Sequence, residues 1–177
     1  PLEQKYLEVT VKTTENAFVS DYFVNYLQSG EVVAVTGPFG KFYLDEKNAK
    51  QNIILMGAGS GISPLMSMLR HIHQKKLPIK THIIYSNKTE NEILWRKEME
   101  SISGGSKNFS SRFTLTRENW GGTTGRINGE MILKPGFNLN ETDFYLCGPP
   151  DFVKAIEKIL LEELSVSQGS IKKEVYN

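Results

Sequence analysis

Three glycines at alternate positions, Gly57, Gly59 and Gly61, stand between an apolar run and a helix-forming pattern. No other stretch constrains the fold of this chain so tightly. The run Ile53–Met56 is short and uniformly apolar, as expected of a parallel strand buried on both faces. Ser63-Pro64 follows the glycines and reads as an N-cap with proline at the first helical position. Leu65, Met66, Leu69 and Ile72 then recur at helical spacing. Strand, glycine turn and helix together aim free backbone N–H groups and a helix dipole at one point, which suits a phosphate. Glycine fits there because a Cβ would hold the backbone away from a ligand. A glycine-rich connection without a ligand is the alternative, because Ile62 stands where a dinucleotide fingerprint would continue towards its third glycine.

The formal net charge of the 177 residues is +1, so nothing directs the chain to nucleic acid or an anionic membrane. No apolar run approaches the ~20 residues of a membrane span. A single cysteine, Cys147, excludes an internal disulfide and an iron–sulfur cluster held by this chain alone. A reduced, cytoplasmic setting is the default for such a chain. His71 and His73 lie two apart on one helix and make a poor metal pair, so no metal site is expected.

Residues 6–12 alternate apolar with polar side chains, predicting a half-buried strand. Residues 13–16 form a polar turn, and residues 18–27 predict a helix ended by Gly30. Strands are expected at 31–36 and 41–44, on either side of the turn Gly37-Pro38-Phe39-Gly40. The polar stretch 45–51 reads as a linker, with the domain boundary between residues 49 and 50. Beyond it, strands at 53–56, 80–86, 112–116, 143–147 and 171–176 alternate with helices that include 90–102, 128–133 and 151–164. That rhythm predicts an α/β fold: a five-stranded parallel sheet with helices on both faces. Ligands of such sheets sit at the carboxyl ends of the strands. The turn at 57–61, Ser86–Lys88, Thr116–Arg117 and 147–150 therefore share one edge.

The pieces GPFGKFYL (37–44), GAGSGISPL (57–65), YSNKTENEILWRKEM (85–99), LTRENWGGTTGRI (115–127), LCGPPDF (146–152) and EVY (174–176) occur in this order. Together they resemble the ferredoxin–NADP reductase family, flavoproteins that pass electrons between a nicotinamide and one-electron carriers. The bacterial reductases that serve oxygenases and ferredoxins are the most similar members. The resemblance implies a Rossmann-like NAD(P)-binding domain at 50–177. It also implies that residues 1–49 are the C-terminal portion of an antiparallel β-barrel that binds FAD. The family's Arg-x-Tyr-Ser flavin motif does not occur here and would fall upstream of Pro1. The chain is thus expected to lack the first part of that barrel, and residues 1–177 by themselves to bind flavin weakly or not at all. Ala17 stands where the family has glycine, and fits only if its backbone avoids positive φ.

Residue roles follow from the same resemblance. Ser20 reads as an N-cap, and the resemblance makes it also a ligand of the flavin pyrophosphate. Gly57, Gly59, Ser60, Gly61 and Pro64, with Gly148 and Pro149, would hold the nicotinamide nucleotide. Cys147 by itself reads as a small buried hydrophobe; the resemblance places it beside nicotinamide C4 and flavin N5, as a positioning group and not a nucleophile. Glu174 reads as an edge charge, and the resemblance gives it a part in proton exchange. Tyr176 is implied to cover the flavin face and to yield to nicotinamide, although Asn177 follows it here. Ser86, Lys88, Thr116 and Arg117 would form the adenosine end, where Thr116-Arg117 matches a Ser-Arg pair that grips the 2′-phosphate of NADP. That match favours NADPH over NADH, against the alternative that Lys88 and Arg117 are surface charges. The implied acceptor is a ferredoxin, a flavodoxin or an oxygenase component. The rival reading is a nucleotide-binding module without redox activity of its own.

Overall fold

The computed structural model describes residues 5–13 and 16–176, so Thr14 and Glu15 of the expected turn, and Asn177, lie outside the described residues. The chain divides into two compact units between Lys41 and Phe42. In the first unit the regular element is helix α1, Phe18–Asn25. Residues expected as strands at 6–12 and 31–36, and at 41–44 beyond the division, are not in strands. Alternation encodes an apolar face, but a strand also needs a hydrogen-bonded neighbour, and no ladder forms among these residues. The expected turn at 37–40 contains a cis Gly37–Pro38 peptide.

The second unit is built on a parallel sheet. Its strands are β1 (Asn52–Ala58), β2 (Lys80–Asn87), β3 (Phe109–Leu115), β4 (Thr123–Thr124), β5 (Thr142–Gly148) and β6 (Ile171–Val175), in the order β4-β3-β2-β1-β5-β6. Five of these match the expected strands, and the two-residue β4 is an addition at the edge. The order reverses between β1 and β5, which makes that boundary the topological switch point.

Successive residues of β1 feed opposite cores, as a period of two requires. Ile53 and Leu55 pack with α2 (Ile62–Gln74) and α3 (Arg96–Gly105), through Leu65, Leu69, Met99 and Ile102. Ile54 and Met56 pack on the other face with α4 (Gly129–Leu133) and α5 (Pro150–Lys158), through Ile132, Val153 and Ile156. The uniformly apolar run thus reflects burial on both faces. Phe42, Leu44 and Ala49, read as a strand end and linker, pack against the α2/α3 core.

Element ends differ from expectation for local reasons. The helix expected at 90–102 is broken. Thr89 and Glu92 close a capping box on the short turn Glu90–Glu92, Ile93 is extended, and Trp95 is left-handed at φ 50. Ile93 and Trp95 are turned inward by this break and pack on the core. Ser63 does not cap α2. The turn Gly59–Gly61 runs straight into the helix, and the Ser63 hydroxyl donates to the Ser60 carbonyl at 2.9 Å. The helix expected at 151–164 starts at Pro150 and changes to a π turn over Ile159–Glu163. Asn128 caps α4 by accepting from the Met131 N–H at 3.0 Å.

A polar pair links β2 to β3. His82 of β2 is 4% exposed, and its Nδ1 meets the Ser110 hydroxyl of β3 at 2.7 Å. Its Nε2 is buried without a partner, and Arg112 stands nearby. Burial first, then the Arg112 charge, pushes the imidazole down to about 4. The unfolded chain takes up this proton near pH 6.5 and the folded chain does not, so stability falls as pH drops from about 6.5 to about 4. The loss over that window is on the order of 3 kcal/mol. His82→Gln should flatten this part of the profile. Urea unfolding between pH 4 and 7 checks it; parallel curves for the two proteins would contradict the assignment.

Candidate functional site at the carboxyl edge of the sheet

The carboxyl ends of the strands converge where the sheet order reverses. Gly57 of β1 pairs with Cys147 of β5, and Cys147 pairs with Glu174 of β6. On the other side Ala58 pairs with Ser86 of β2, and Ser86 with Thr114 of β3. Every parallel strand ends at this edge, so loops from distant parts of the sequence meet there. This places the turn 57–61, Ser86, Cys147 and Gly148 along one edge, where the strand rhythm expects them, with Glu174 beside Cys147.

The glycine turn is held from two directions. Gly59 has φ 54, a left-handed conformation that glycine adopts without strain. The hydroxyl of Tyr85, from β2, donates to the Gly59 carbonyl at 2.9 Å. Gly61 lies against the end of β5: a Cβ there would stand 2.2 Å from the Cys147 carbonyl oxygen and 2.6 Å from its carbon. Backbone packing therefore demands glycine at 61, a reason additional to ligand approach. The turn has no side-chain cap, nor does the start of α2. The Ile62 N–H is engaged by the Gly59 and Ser60 carbonyls, and the N–H groups before it have no side-chain cap, which suits an anion. Pro64 is the third residue of α2 and has no N–H to offer.

Beside the turn lies a thiol–phenol pair. Cys147 is fully buried, and burial first, then the Glu174 charge, pushes its thiol up to about 12. The thiol is protonated at neutral pH and is no nucleophile. The Tyr176 hydroxyl is also raised to about 12 by burial. It is buried without a well-formed hydrogen bond, with Ser60 and Cys147 near enough to act on its ionisation. Cys147, Tyr176 and Ser60 thus form one cluster, with exposed Glu174 at its rim. Pro149 is the N-cap of α5, next to buried Gly148.

At the far end of the edge, an open groove of about 290 Å³ is lined by Leu115, Thr116, Arg117, Glu118, Asn119, Thr124 and Gly125. Its floor is tied to the loop after β2. The Thr116 N–H donates to the Asn87 carbonyl at 2.9 Å, and the Arg117 N–H to the Lys88 carbonyl at 3.0 Å. The nearby carboxylates are already engaged. Glu92 accepts from the Lys88 and Thr89 N–H groups, and Glu118 accepts from the Glu90 N–H at 2.7 Å. Glu90 pairs with Arg96, whose guanidinium stacks on Trp120 at 5.2 Å. Lys88 and Arg117, by contrast, have no side-chain partner among the described residues. Ser86 is buried beneath this loop. Ser20 belongs to the first unit, as the third residue of α1. Ala17 is the N-cap there, at φ −82, so alanine fits without strain.

Comparison with known proteins decides the family. Residues 55–158 match the profile of the oxidoreductase NAD-binding domain. The chain belongs to this family, within the ferredoxin–NADP reductase-like proteins. It is 27% identical to the anthranilate 1,2-dioxygenase electron transfer component of Acinetobacter baylyi, over 99% of the chain and 51% of that protein. It is 32% identical to NADH-cytochrome b5 reductase 1 of Lodderomyces elongisporus, over 88% of the chain and 53% of that protein. The chain thus spans about half the length of these curated relatives. Among solved structures, the FAD/NAD-binding domain of nitric oxide dioxygenase from Vibrio cholerae superposes with a TM-score of 0.80 at 23% identity, covering 90% of the chain and 65% of that structure. A ferredoxin–NADP+ reductase from Neisseria gonorrhoeae gives 0.73 at 21%, covering 90% and 70%. These likenesses support the fold, and no helix among the described residues is long and apolar enough to cross a membrane.

Tyr85 and Glu118 escaped the sequence reading. A tyrosine directly after the aliphatic pair Ile83–Ile84 was the available signal for the first, and direct adjacency to Arg117 for the second. The packing of Gly61 yields a test. Gly61→Ala should force the turn away from β5 at a cost of about 1–3 kcal/mol, lowering the thermal midpoint by several degrees. An unchanged midpoint would show that the two backbones separate freely.

Proposed function

We propose that the chain works in an FAD-dependent reductase that takes electrons from NAD(P)H and passes them singly to a ferredoxin, a flavodoxin or an oxygenase component. On this reading residues 50–177 are the NAD(P)-binding domain and residues 1–49 contribute to the flavin domain. The observation that carries the reading is the meeting of an uncapped glycine turn with a buried, protonated Cys147 at the switch point. The names of the relatives, an electron transfer component and an NADH-dependent reductase, support the same chemistry.

FAD, when bound, supplies two-electron uptake from nicotinamide and one-electron release. The residues present suit it: the uncapped start of α1, with Ser20 in its first turn, offers N–H groups to a pyrophosphate. The turn 57–61 would hold the nucleotide pyrophosphate, with Gly148 and Pro149 closing the opposite wall. Cys147 would orient the nicotinamide ring, since a neutral thiol packs against it without attacking it. Glu174, exposed beside the thiol, would exchange a proton with solvent. Tyr176 would cover the site and exclude water until the ring enters.

The free cations Lys88 and Arg117 favour a 2′-phosphate, hence NADPH over NADH. Arg117 carries this preference, because a charged hydrogen bond contributes about 1.5–3 kcal/mol. In the flavin-loaded protein, Arg117→Ala should lower kcat/KM for NADPH about ten- to a hundredfold and leave NADH nearly unchanged. An equal loss with both nucleotides, or a wild-type preference for NADH, would overturn this cofactor assignment.

A further inference from the structure

We infer that Glu118 sets the limit on 2′-phosphate recognition by opposing Arg117 within the same groove. The inference rests on the reading of that groove as the adenosine end of the nucleotide site. Both residues line it, and they are consecutive in the chain, where a loop leaves the end of β3. The Glu118 carboxylate is fixed: one oxygen, Oε2, accepts from the Glu90 N–H at 2.7 Å. No cation pairs with it among the described residues, because Arg96 is taken by Glu90 and Glu100. The Glu90 carboxylate is engaged by that same guanidinium, which is backed by the Trp120 ring. The negative charge of Glu118 therefore stays uncompensated where Arg117 is free.

Two consequences follow from the charge and from the oxygen that the Glu90 N–H leaves free. A 2′-phosphate entering the groove meets a like charge, which weakens its capture by Arg117. A ribose 2′-hydroxyl meets an acceptor instead. Glu118 is therefore a selectivity residue that narrows the gap between the phosphorylated and unphosphorylated nucleotides. The other carboxylates of the neighbouring loop, Glu90 and Glu92, are committed to Arg96 and to backbone N–H groups.

Glu118→Gln tests this cleanly, because the amide oxygen still accepts from the Glu90 N–H while the charge is removed. The probes are adenosine 2′,5′-bisphosphate and 5′-AMP, titrated calorimetrically into the whole chain at low ionic strength. The ratio of their affinities should move about three- to thirtyfold towards the bisphosphate. Added salt should shrink the difference between wild type and variant. A superimposable melting curve for the variant excludes a folding effect. Arg117→Ala is measured in parallel. If Arg117→Ala shifts the ratio and Glu118→Gln leaves it within twofold or moves it towards AMP, the inference about Glu118 is wrong and the groove reading stands. If neither substitution moves the ratio, the groove is not the 2′-phosphate site and both fail.

Discussion

The structure depends on one close approach: the turn after β1 lies directly on the backbone that ends β5. No side chain fits between Gly61 and the Cys147 carbonyl, so the two strands on either side of the switch point are joined by contact between backbones. Interiors this tightly packed do not deform continuously. The contact fixes where the free N–H groups of the turn stand relative to the Cys147 thiol. Tyr85 reinforces it from the opposite strand by holding the Gly59 carbonyl. An anion at the turn would then stand at a fixed place relative to the Cys147 thiol, and such orientation is what the proposed function requires.

The outer half of the edge works on a different principle. Ile93, Trp95 and Trp120 anchor its loops on the core, and hydrogen bonds hold the rest. The strand-like link from Thr116 and Arg117 to the loop after β2 sets the floor. Glu92 and Glu118 bind backbone N–H groups, and Arg96 draws Glu90 aside. These carboxylates act first as scaffold, and among the described residues Lys88, Arg117 and Glu118 keep charges without an ion-pair partner. Exposed ion pairs are individually weak, but here a planar guanidinium joins two carboxylates and an aromatic ring, a network rather than an isolated pair.

Much of this was legible in the sequence. The apolar run 53–56, the glycine turn and the alternation of strands and helices place the sheet and its ligand edge, because periodicity reports burial directly. Cys147, Glu174 and Tyr176 were legible as a group only through their resemblance to a family, since nothing in their spacing brings them together. The register of β5 with β6 does that. Three features could not be read. The break before α3 depends on Ile93 and Trp95 finding the core, a tertiary preference that overrides helical spacing. The strands expected at 6–12 and 31–36 needed neighbours that alternation alone cannot specify. The reason for glycine at 61 is a contact with a residue far along the chain, invisible to a local motif.

Amide nuclear magnetic resonance spectra recorded during titration with NADP+ show whether the turn and the end of β5 form one nucleotide site. If they do, the amides of Gly59, Ser60, Gly61 and Gly148 shift together along one saturating curve. Saturable shifts confined to other parts of the chain, with these four amides unmoved, would contradict it.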